Sequence, residues 1–165
     1  MIPALTLDRL REVLRYDPES GKFFWLKDCN QNRKSGDQAG NPDNKGYWCI
    51  MIDGKTYKAH RLAWLWMVGE WPEAEIDHIN INKSNNRWEN LRAASHARNC
   101  ANTPRKVTNK IGAKGIRAIR SGKYVARIMK DGKASHLGTF SSLEEAIQAY
   151  AAAASAHFGE FARTA

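Results

Sequence analysis

Four side chains in residues 75–102 have the types and the spacing that hydrolysis of a phosphodiester bond requires. They are Asp77, His78, Asn90 and Asn99. A histidine can take a proton from water near neutral pH. Aspartate and asparagine oxygens bind Mg²⁺, which would stabilise the charge that develops on the phosphate and on the leaving oxygen. The segment therefore predicts a metal-assisted hydrolytic centre.

The elements around these residues are predicted as a strand, a loop and a helix. Residues 76–79 have the pattern of a strand, residues 80–87 form an Asn-rich loop, and residues 89–102 have helical character. Asp77 and His78 are neighbours, and on a strand they would point to opposite faces. A bulge or distortion would be needed to bring both to one centre. An Asp-His pair alone is more often a hydrogen-bonded surface pair than a catalytic one.

The predicted helix offers two candidates for the second metal ligand. If Leu91 and Ser95 face inward, Asn99 lies about 80° from Leu91 at roughly 100° per residue. His96 lies about 140° away on the same count. The helical geometry therefore favours Asn99 as the ligand and places His96 on the flank, where it could touch a phosphate. His96 stays open as a rival ligand.

A hydrophobic module surrounds this segment and holds all six tryptophans of the chain. His60 opens a predicted aromatic helix with no carboxylate beside it, so we expect a structural histidine there. Trp64, Trp66 and Trp71 are expected in the core rather than at a base-stacking surface. The predicted elements are a helix over residues 5–16, strands over residues 23–26, 47–52 and 55–58 with a hairpin turn at Asp53-Gly54, and a helix over residues 59–68.

The charge of the chain is unevenly distributed. The sequence has 26 Lys and Arg against 17 Asp and Glu, a net charge of +9. Residues 106–133 hold nine basic residues and one acid, a net charge of +8. This footprint predicts a polyanionic partner, with nucleic acid first. Residues 103–110 are polar and aperiodic, and we interpret them as a linker between two modules.

The second module has the pattern of a three-stranded sheet that packs on one helix. A capping box of serine and glutamate marks the start of the helix, and Gly159 is placed to end it. The predicted strands cover residues 115–119, 124–130 and 136–140, and the cap is Ser141 or Ser142 with Glu144 or Glu145.

The middle strand of this sheet alternates in character. Tyr124, Ala126 and Ile128 share the face that can pack on the helix. The other face is expected to point outward, and a basic sheet of this kind can enter a major groove. The outward residues are Lys123, Val125, Arg127 and Met129, joined by Arg117 and Arg120 from the preceding strand.

The first module resembles the HNH endonuclease family, especially its phage and intron-encoded homing types. Asp77-His78, Asn90-Leu91 and Asn99 carry the match. Residues 60–64 and 69–72 are also similar, and the resemblance covers about residues 5–102.

The HNH resemblance implies a ββα-metal fold with one divalent ion, magnesium or manganese. It implies that His78 is the general base and that Asp77 and Asn99 hold the metal. Asn90 would tie the loop and orient the histidine. The family more often has a histidine where this chain has Asn99.

The second module resembles the DNA-binding domain of plant ethylene-response factors, which also occurs fused to HNH nucleases. The match covers residues 112–161. It implies that outward side chains on the sheet touch bases and phosphates. Arg127 replaces a typical Glu and His136 replaces a typical Trp, so this module need not read the plant sequence. The implied DNA-binding positions are Lys114, Arg117, Arg120, Lys123, Arg127 and His136.

Together these observations predict an α+β protein with two modules. Its function would be that of a homing-type DNA endonuclease from a phage or mobile element, leaving 5′-phosphate and 3′-hydroxyl ends. The alternatives are a non-catalytic DNA-binding regulator with a decayed nuclease module and an RNA-directed nuclease. The predicted domains are a ββα-metal HNH module over residues 1–104 with core motif 75–102, a linker over residues 105–111, and a DNA-binding domain over residues 112–165 with a three-stranded antiparallel sheet on one helix.

The expected partner is double-stranded DNA, bound by a monomer without a small-molecule cofactor. No apolar run approaches the roughly 18 residues of a membrane span, and the start lacks a signal-peptide pattern. We therefore expect the cytoplasm, that of the host if a phage encodes the protein. The three cysteines form no Cys-x-x-Cys pair, which disfavours disulfides and a zinc ribbon. Arg87, Arg92, His96 and Arg98 are candidate phosphate contacts or, equally, a solvated helix face.

Overall fold

The computed structural model describes residues 5–28, 33–103, 109, 111–130 and 132–163. Within this part of the chain the protein is a mixture of α-helices and small β-sheets, which confirms the predicted α+β class. The chain divides into two compact units, Met1–Ala93 and Ala94–Ala165. Most of the predicted linker over residues 105–111 lies outside the described residues, and the domain boundaries at residues 104 and 112 stay a prediction.

The first unit begins with a short helix and a hairpin. Helix α1 spans Leu7–Val13 and is capped by the side chain of Thr6. The helix predicted over residues 5–16 was too long, because Leu14–Asp17 forms strand β1, which pairs antiparallel with β2, Lys22–Trp25. Alternate residues of β1 are buried, so the hairpin buries side chains that a longer helix would leave on separate faces.

A three-stranded antiparallel sheet follows, with strands β3 (Asn41–Pro42), β4 (Trp48–Ile52) and β5 (Lys55–Lys58). The turn between β4 and β5 contains Asp53 and Gly54, with φ values of 48° and 77°. A two-residue hairpin turn of this type needs positive φ at both central positions. The predicted hairpin is therefore confirmed.

Helix α2 spans Ala59–Val68 and matches the predicted bounds. It ends at Gly69, whose φ of 92° is the left-handed conformation that glycine supplies at a helix end. Trp64, Trp66 and Trp71 pack partly buried against the core, as predicted. The largest fully buried side chains of this core are Leu10, Leu14, Phe23, Ile50 and Leu62.

The segment that carries the candidate site differs from the prediction in one element. Strand β6 spans Glu75–His78 and pairs with β7, Leu91–Ala94. Helix α3, His96–Asn102, begins after β7. The helix predicted over residues 89–102 was therefore wrong in its first half, since pairing with β6 satisfies the backbone of Leu91–Ala94 and buries both of its end residues. The order of elements is strand, loop, strand and helix.

The second unit contains α3 and a separate sheet with strands β8 (Ile116–Ala118), β9 (Tyr124–Lys130) and β10 (Lys133–Phe140). These strands are antiparallel, with β9 in the middle. Helix α4, Leu143–Phe158, follows, and Ser142 and Glu145 form its capping box. The three-stranded sheet and the single helix that the sequence predicted are both present.

The core of the second unit lies between β9 and α4. Ala126 and Ile128 of β9 are buried, as are Tyr150 and Ala154 of α4. Ala101 of α3 joins the same cluster as Ile128 and Tyr150. Helix α3 therefore packs on the core of the second unit, although the sequence grouped it with the first module. Among the described residues, no helix is long and apolar enough to cross a membrane.

Candidate active site

Asp77 and His78 lie at the end of β6, and each is 5% exposed. Their side chains have different partners: Asp77 contacts Arg92 of β7, and His78 contacts Asn86 of the following loop. Neighbouring residues on a strand alternate in direction, which accounts for the two sets of contacts. These contacts do not bring the two side chains to one centre, and the distortion that such a centre would need stays a prediction.

Asp77 forms an ion pair that is largely shielded from water. The Nε of Arg92 donates to Oδ2 of Asp77 at 3.0 Å, and the two side chains are 12% and 6% exposed. A buried carboxylate is costly unless a cation and hydrogen bonds replace its hydration. Arg92 supplies that charge from the neighbouring strand. From the sequence, Arg92 is a candidate phosphate contact, and the structure shows its guanidinium group in contact with Asp77.

His78 is held by an asparagine that the sequence prediction missed. Its Nε2 lies 3.1 Å from Oδ1 of Asn86, while Nδ2 of Asn86 donates to the carbonyl of Ser84 at 3.2 Å. Because an amide oxygen can only accept, Nε2 of the neutral imidazole carries the proton in this pair. The nitrogen of His78 with basic character is therefore Nδ1. Burial lowers the pKa of His78 below its ordinary value, although the Asn86 contact and the Asp77 charge oppose that change.

Asn90 organises the loop through hydrogen bonds to its backbone. Its Nδ2 donates to the carbonyl of Asn85 at 2.7 Å, and its Oδ1 accepts from the backbone N–H of Asn80 at 3.0 Å. The two bonds tie both ends of the loop to one side chain. Because Asn85 directly precedes Asn86, these bonds act on the histidine through the loop, which is a less direct role than the family resemblance implied.

The β1–β2 hairpin supports the same loop. The hydroxyl of Tyr16 donates to the carbonyl of Asn86 at 2.6 Å. At Gly21, where φ is +71°, an added Cβ would lie 2.3 Å from the backbone nitrogen of Arg87. Glycine is therefore needed where the hairpin turn meets the loop. In the sequence, Asn86 is one of several asparagines near the histidine. Nothing in the local sequence distinguishes it from Asn82 and Asn85.

His60 and His78 lie in edge contact, with ring centroids 5.0 Å apart and planes at 80°. His60 is 6% exposed, and burial lowers its pKa to about 3, with a smaller contribution from His78. Its Nδ1 is buried without a hydrogen-bond partner among the described residues. The structural role expected for His60 accounts for its packing. It does not account for the buried Nδ1 that has no hydrogen-bond partner among the described residues.

Asn99 and His96 both lie on α3 in the second unit. Asn99 is half-buried and His96 is exposed, with its Nε2 3.6 Å from Sγ of Cys100. The angular argument for Asn99 assumed one helix containing Leu91, and this premise was wrong because Leu91 belongs to β7. The choice of Asn99 now rests on the HNH resemblance and on its lower exposure.

The outer face of the second sheet carries several of the predicted DNA contacts. Arg127 pairs with His136 across β9 and β10, and Arg117 pairs with Val125 across β8 and β9. Cross-strand partners share a face, so Arg117, Arg127 and His136 lie together, and all three are exposed. Val125 was expected to be outward but is 6% exposed. It lies in register between Arg117 and Thr139, whose side chains flank it.

Lys114 has a different position from the other predicted DNA contacts. Its Nζ donates to the backbone carbonyls of Ala101 at 2.6 Å and Thr103 at 2.8 Å, at the end of α3. A lysine in this position compensates the unpaired carbonyls of a helix C-terminus. Burial lowers its pKa. The remaining predicted contacts, Arg87, Arg98, Arg120 and Lys123, are exposed.

The donor atoms at the candidate site suit a hydrated divalent ion. Among the described residues, no group of three or more His, Cys, Asp or Glu side chains converges. A single carboxylate such as Asp77, with an asparagine oxygen, is still a suitable set for Mg²⁺ or Mn²⁺, since Mg²⁺ keeps several of its waters. The carboxylate of Asp77 is already paired with the guanidinium group of Arg92, so an ion would bind beside this pair.

Comparison with known proteins identifies the part of the chain that holds β6, β7 and α3. Residues 57–101 match the family model of the HNH endonucleases. The HNH endonuclease L560 of Acanthamoeba polyphaga mimivirus is 35% identical over 120 residues, which cover 72% of this chain and 62% of the relative. A solved structure that describes DNA binding and cleavage by the HNH homing endonuclease I-HmuI also matches, with 22% identity and a TM-score of 0.43. The match covers 82% of this chain and 76% of that chain.

The family-model match and the mimivirus relative support the HNH resemblance, which the family model places in residues 57–101. The chain spans less than two thirds of the length of the mimivirus relative. The family match ends at residue 101, before β8. The resemblance of residues 112–161 to ethylene-response factors therefore stays a prediction.

Proposed function

Because residues 57–101 match the family model of the HNH endonucleases, we propose that the protein is a metal-dependent DNA endonuclease whose general base is His78. The observation that carries the proposal is the hydrogen bond between Nε2 of His78 and Oδ1 of Asn86. It assigns the proton to Nε2 and the lone pair to Nδ1. A general base needs one fixed, neutral tautomer, and the lowered pKa keeps His78 neutral at physiological pH.

In this proposal Asp77 and Asn99 would be the protein ligands of one Mg²⁺ or Mn²⁺, as the HNH resemblance implies. When bound, the ion would stabilise negative charge on the phosphate and on the leaving oxygen. Arg92 holds the carboxylate of Asp77 in place through its Nε. His78 takes a proton from water at Nδ1. Asn86 holds the imidazole, and Asn90 holds the loop that carries Asn86.

The second unit would bind the duplex in this proposal. Exposure of Arg117, Arg127 and His136 on one face of the sheet supports that role. Arg120 and Lys123 lie in the exposed turn that joins β8 and β9, close to this face in the chain. Lys114 is assigned to the end of α3 instead, because its ammonium group is engaged there. Cleavage leaving 5′-phosphate and 3′-hydroxyl ends and an origin in a phage or other mobile element also belong to the proposal.

The test is cleavage of a supercoiled plasmid by the full chain with Mg²⁺ or Mn²⁺, repeated with EDTA. We expect nicked or linear DNA with metal and none with EDTA. His78→Ala should lower the cleavage rate by about 10²–10⁴-fold and leave binding intact, as removal of a general base does. Binding without cleavage by the wild-type protein under either metal would instead identify a DNA-binding regulator.

A further inference from the structure

A second group of side chains lies beside His78 and has no part in the proposed catalytic set. It is centred on the ring of Tyr47, whose centroid is 6.2 Å from that of His78 and 5.4 Å from that of His60. Asp43 builds the turn that carries Tyr47: its Oδ1 accepts from the backbone N–H of Lys45 at 2.8 Å and of Tyr47 at 2.9 Å. The ring is therefore held in place by backbone contacts.

Two ammonium groups meet at this ring. The Nζ of Lys58 lies 3.6 Å from the ring centroid of Tyr47, and the Nζ of Lys83 lies 4.8 Å from it. Lys58 is the last residue of β5, and Lys83 belongs to the Asn-rich loop after β6. Two positive charges around one ring repel each other, and the negative face of an aromatic ring offsets this in part.

Among the described residues, the anionic partner of these two ammonium groups is an accessible aspartate. Asp43 Oδ2 lies 3.4 Å from Nζ of Lys58, with the lysine and aspartate side chains 38% and 27% exposed. An ion pair this accessible to water contributes little and can be exchanged. The Nζ of Lys83 donates to the carbonyl of Lys45, which carries no full charge. The polar contacts of the two ammonium groups therefore include one accessible carboxylate and one backbone carbonyl.

One further observation places this group beside the candidate active site. His60, which touches both rings, has its buried Nδ1 without a partner among the described residues. An unpaired buried polar atom is rare and calls for an explanation, of which a catalytic role or a bound ion is one. A phosphate group is the ligand that two lysines beside a nuclease base suit, since lysine binds phosphate as a point charge.

We propose that Tyr47, Lys58 and Lys83 form a subsite for a DNA backbone phosphate beside His78. Tyr47 fixes the two ammonium groups, and they bind a phosphate of the strand that His78 acts on. The subsite rests on the proposed DNA endonuclease function and adds positioning residues to it. Removing either lysine should raise KM for DNA more than it lowers kcat.

The test is the salt dependence of duplex binding by the full chain without metal, so that no cleavage occurs. Lys58→Gln and Lys83→Gln are compared with Lys55→Gln. Lys55 and Lys58 are the first and last residues of the four-residue strand β5. Because side chains alternate along a strand, these two point to opposite faces. The probe is a fluorescent duplex of mixed sequence, and thermal unfolding of each variant verifies that it is folded.

Each of the two variants should flatten the slope of log K against log salt by about 0.9, and the double variant by about twice that amount. Lys55→Gln should keep the wild-type slope. Wild-type slopes in Lys58→Gln and Lys83→Gln, with duplex binding by the wild-type protein intact, would overturn the subsite and leave the proposed function standing. Failure of the wild-type protein to bind duplex DNA at all would overturn both.

Discussion

The Nε of Arg92 and the Oδ2 of Asp77 lie 3.0 Å apart on neighbouring strands, almost shielded from water. The pair gives a carboxylate that is 5% exposed a cationic partner inside the protein, which offsets part of the cost of its burial. It also connects β7 with the candidate metal ligand on β6. The identity of residue 92 therefore matters to the chemistry of Asp77, even though the sequence pattern placed it among surface arginines of a helix.

The first prediction concerns Asn86, which assigns the tautomer of His78. Asn86→Ala should lower the cleavage rate. Loss of an orienting partner typically costs roughly 10-fold, and a wrong tautomer roughly 10⁴-fold, so the effect should lie between these bounds. The reason is that Nδ1 of His78 would then carry the proton in part of the population. Single-turnover cleavage of a plasmid measures the effect. Asn82→Ala is the control, because Asn82 lies in the same loop and is exposed. Equal rates in the two variants would argue against Asn86 as the orienting residue.

The second prediction concerns His60 and acid stability. The pKa of His60 is about 3 in the folded chain against 6.5 for an ordinary histidine, so the unfolded chain binds the extra proton more readily. Stability therefore decreases as pH falls below about 6.5, and roughly 2 kcal/mol should disappear between pH 6.5 and pH 5. His60→Phe keeps a ring and removes the titration.

Urea unfolding of the wild-type protein and His60→Phe at pH 7 and pH 5 checks this prediction. The variant should lose less stability between the two pH values than the wild-type protein does. His78 titrates in the same direction in both proteins, because burial lowers its pKa as well, so the difference between the two proteins isolates His60. The same decrease in both would mean that His60 does not resist protonation.

Particular residues show how far the sequence could predict this structure. The bounds of α2 were predicted because an aromatic helical pattern ends at a glycine, and the capping box of α4 was predicted from Ser and Glu spacing. The strand Leu91–Ala94 was missed because its short apolar pattern fits a helix equally well, and pairing with β6 decides between the two.

The candidate site shows the same division between local pattern and tertiary contact. Asp77, His78 and Asn90 could be singled out by spacing, whereas Asn86 could not be separated from the other asparagines of its loop. What distinguishes Asn86 is its burial, at 2% exposure, and its contacts with Tyr16 and His78. Tyr16 lies 70 positions away in the chain, and no local pattern reports a contact of that kind.

The third prediction distinguishes Asn99 from His96 as the second metal ligand. Asn99→Ala should raise the metal concentration needed for half-maximal cleavage by at least about tenfold, since removing a direct ligand should cost more than removing an outer partner. His96→Ala should change it less, because His96 is exposed on α3 and lies against Cys100. A Mg²⁺ titration of both variants decides the matter, and a larger shift in His96→Ala would make His96 the ligand.

The last prediction concerns the outer face of the second sheet in the full chain. Substituting Arg117, Arg120, Lys123 and Arg127 together with Gln should weaken duplex binding and flatten the slope of log K against log salt by several units, at about 0.9 for each phosphate that is no longer neutralised. The core should tolerate the change, because all four side chains are exposed. Glu144, Glu145 and Gln148 on α4 are exposed as well, and Gln148→Ala is a control on the helix that backs the sheet. An unchanged slope in the fourfold variant, with Gln148→Ala also unchanged, would mean that the basic face of the sheet is solvated surface and that the first unit alone anchors the DNA.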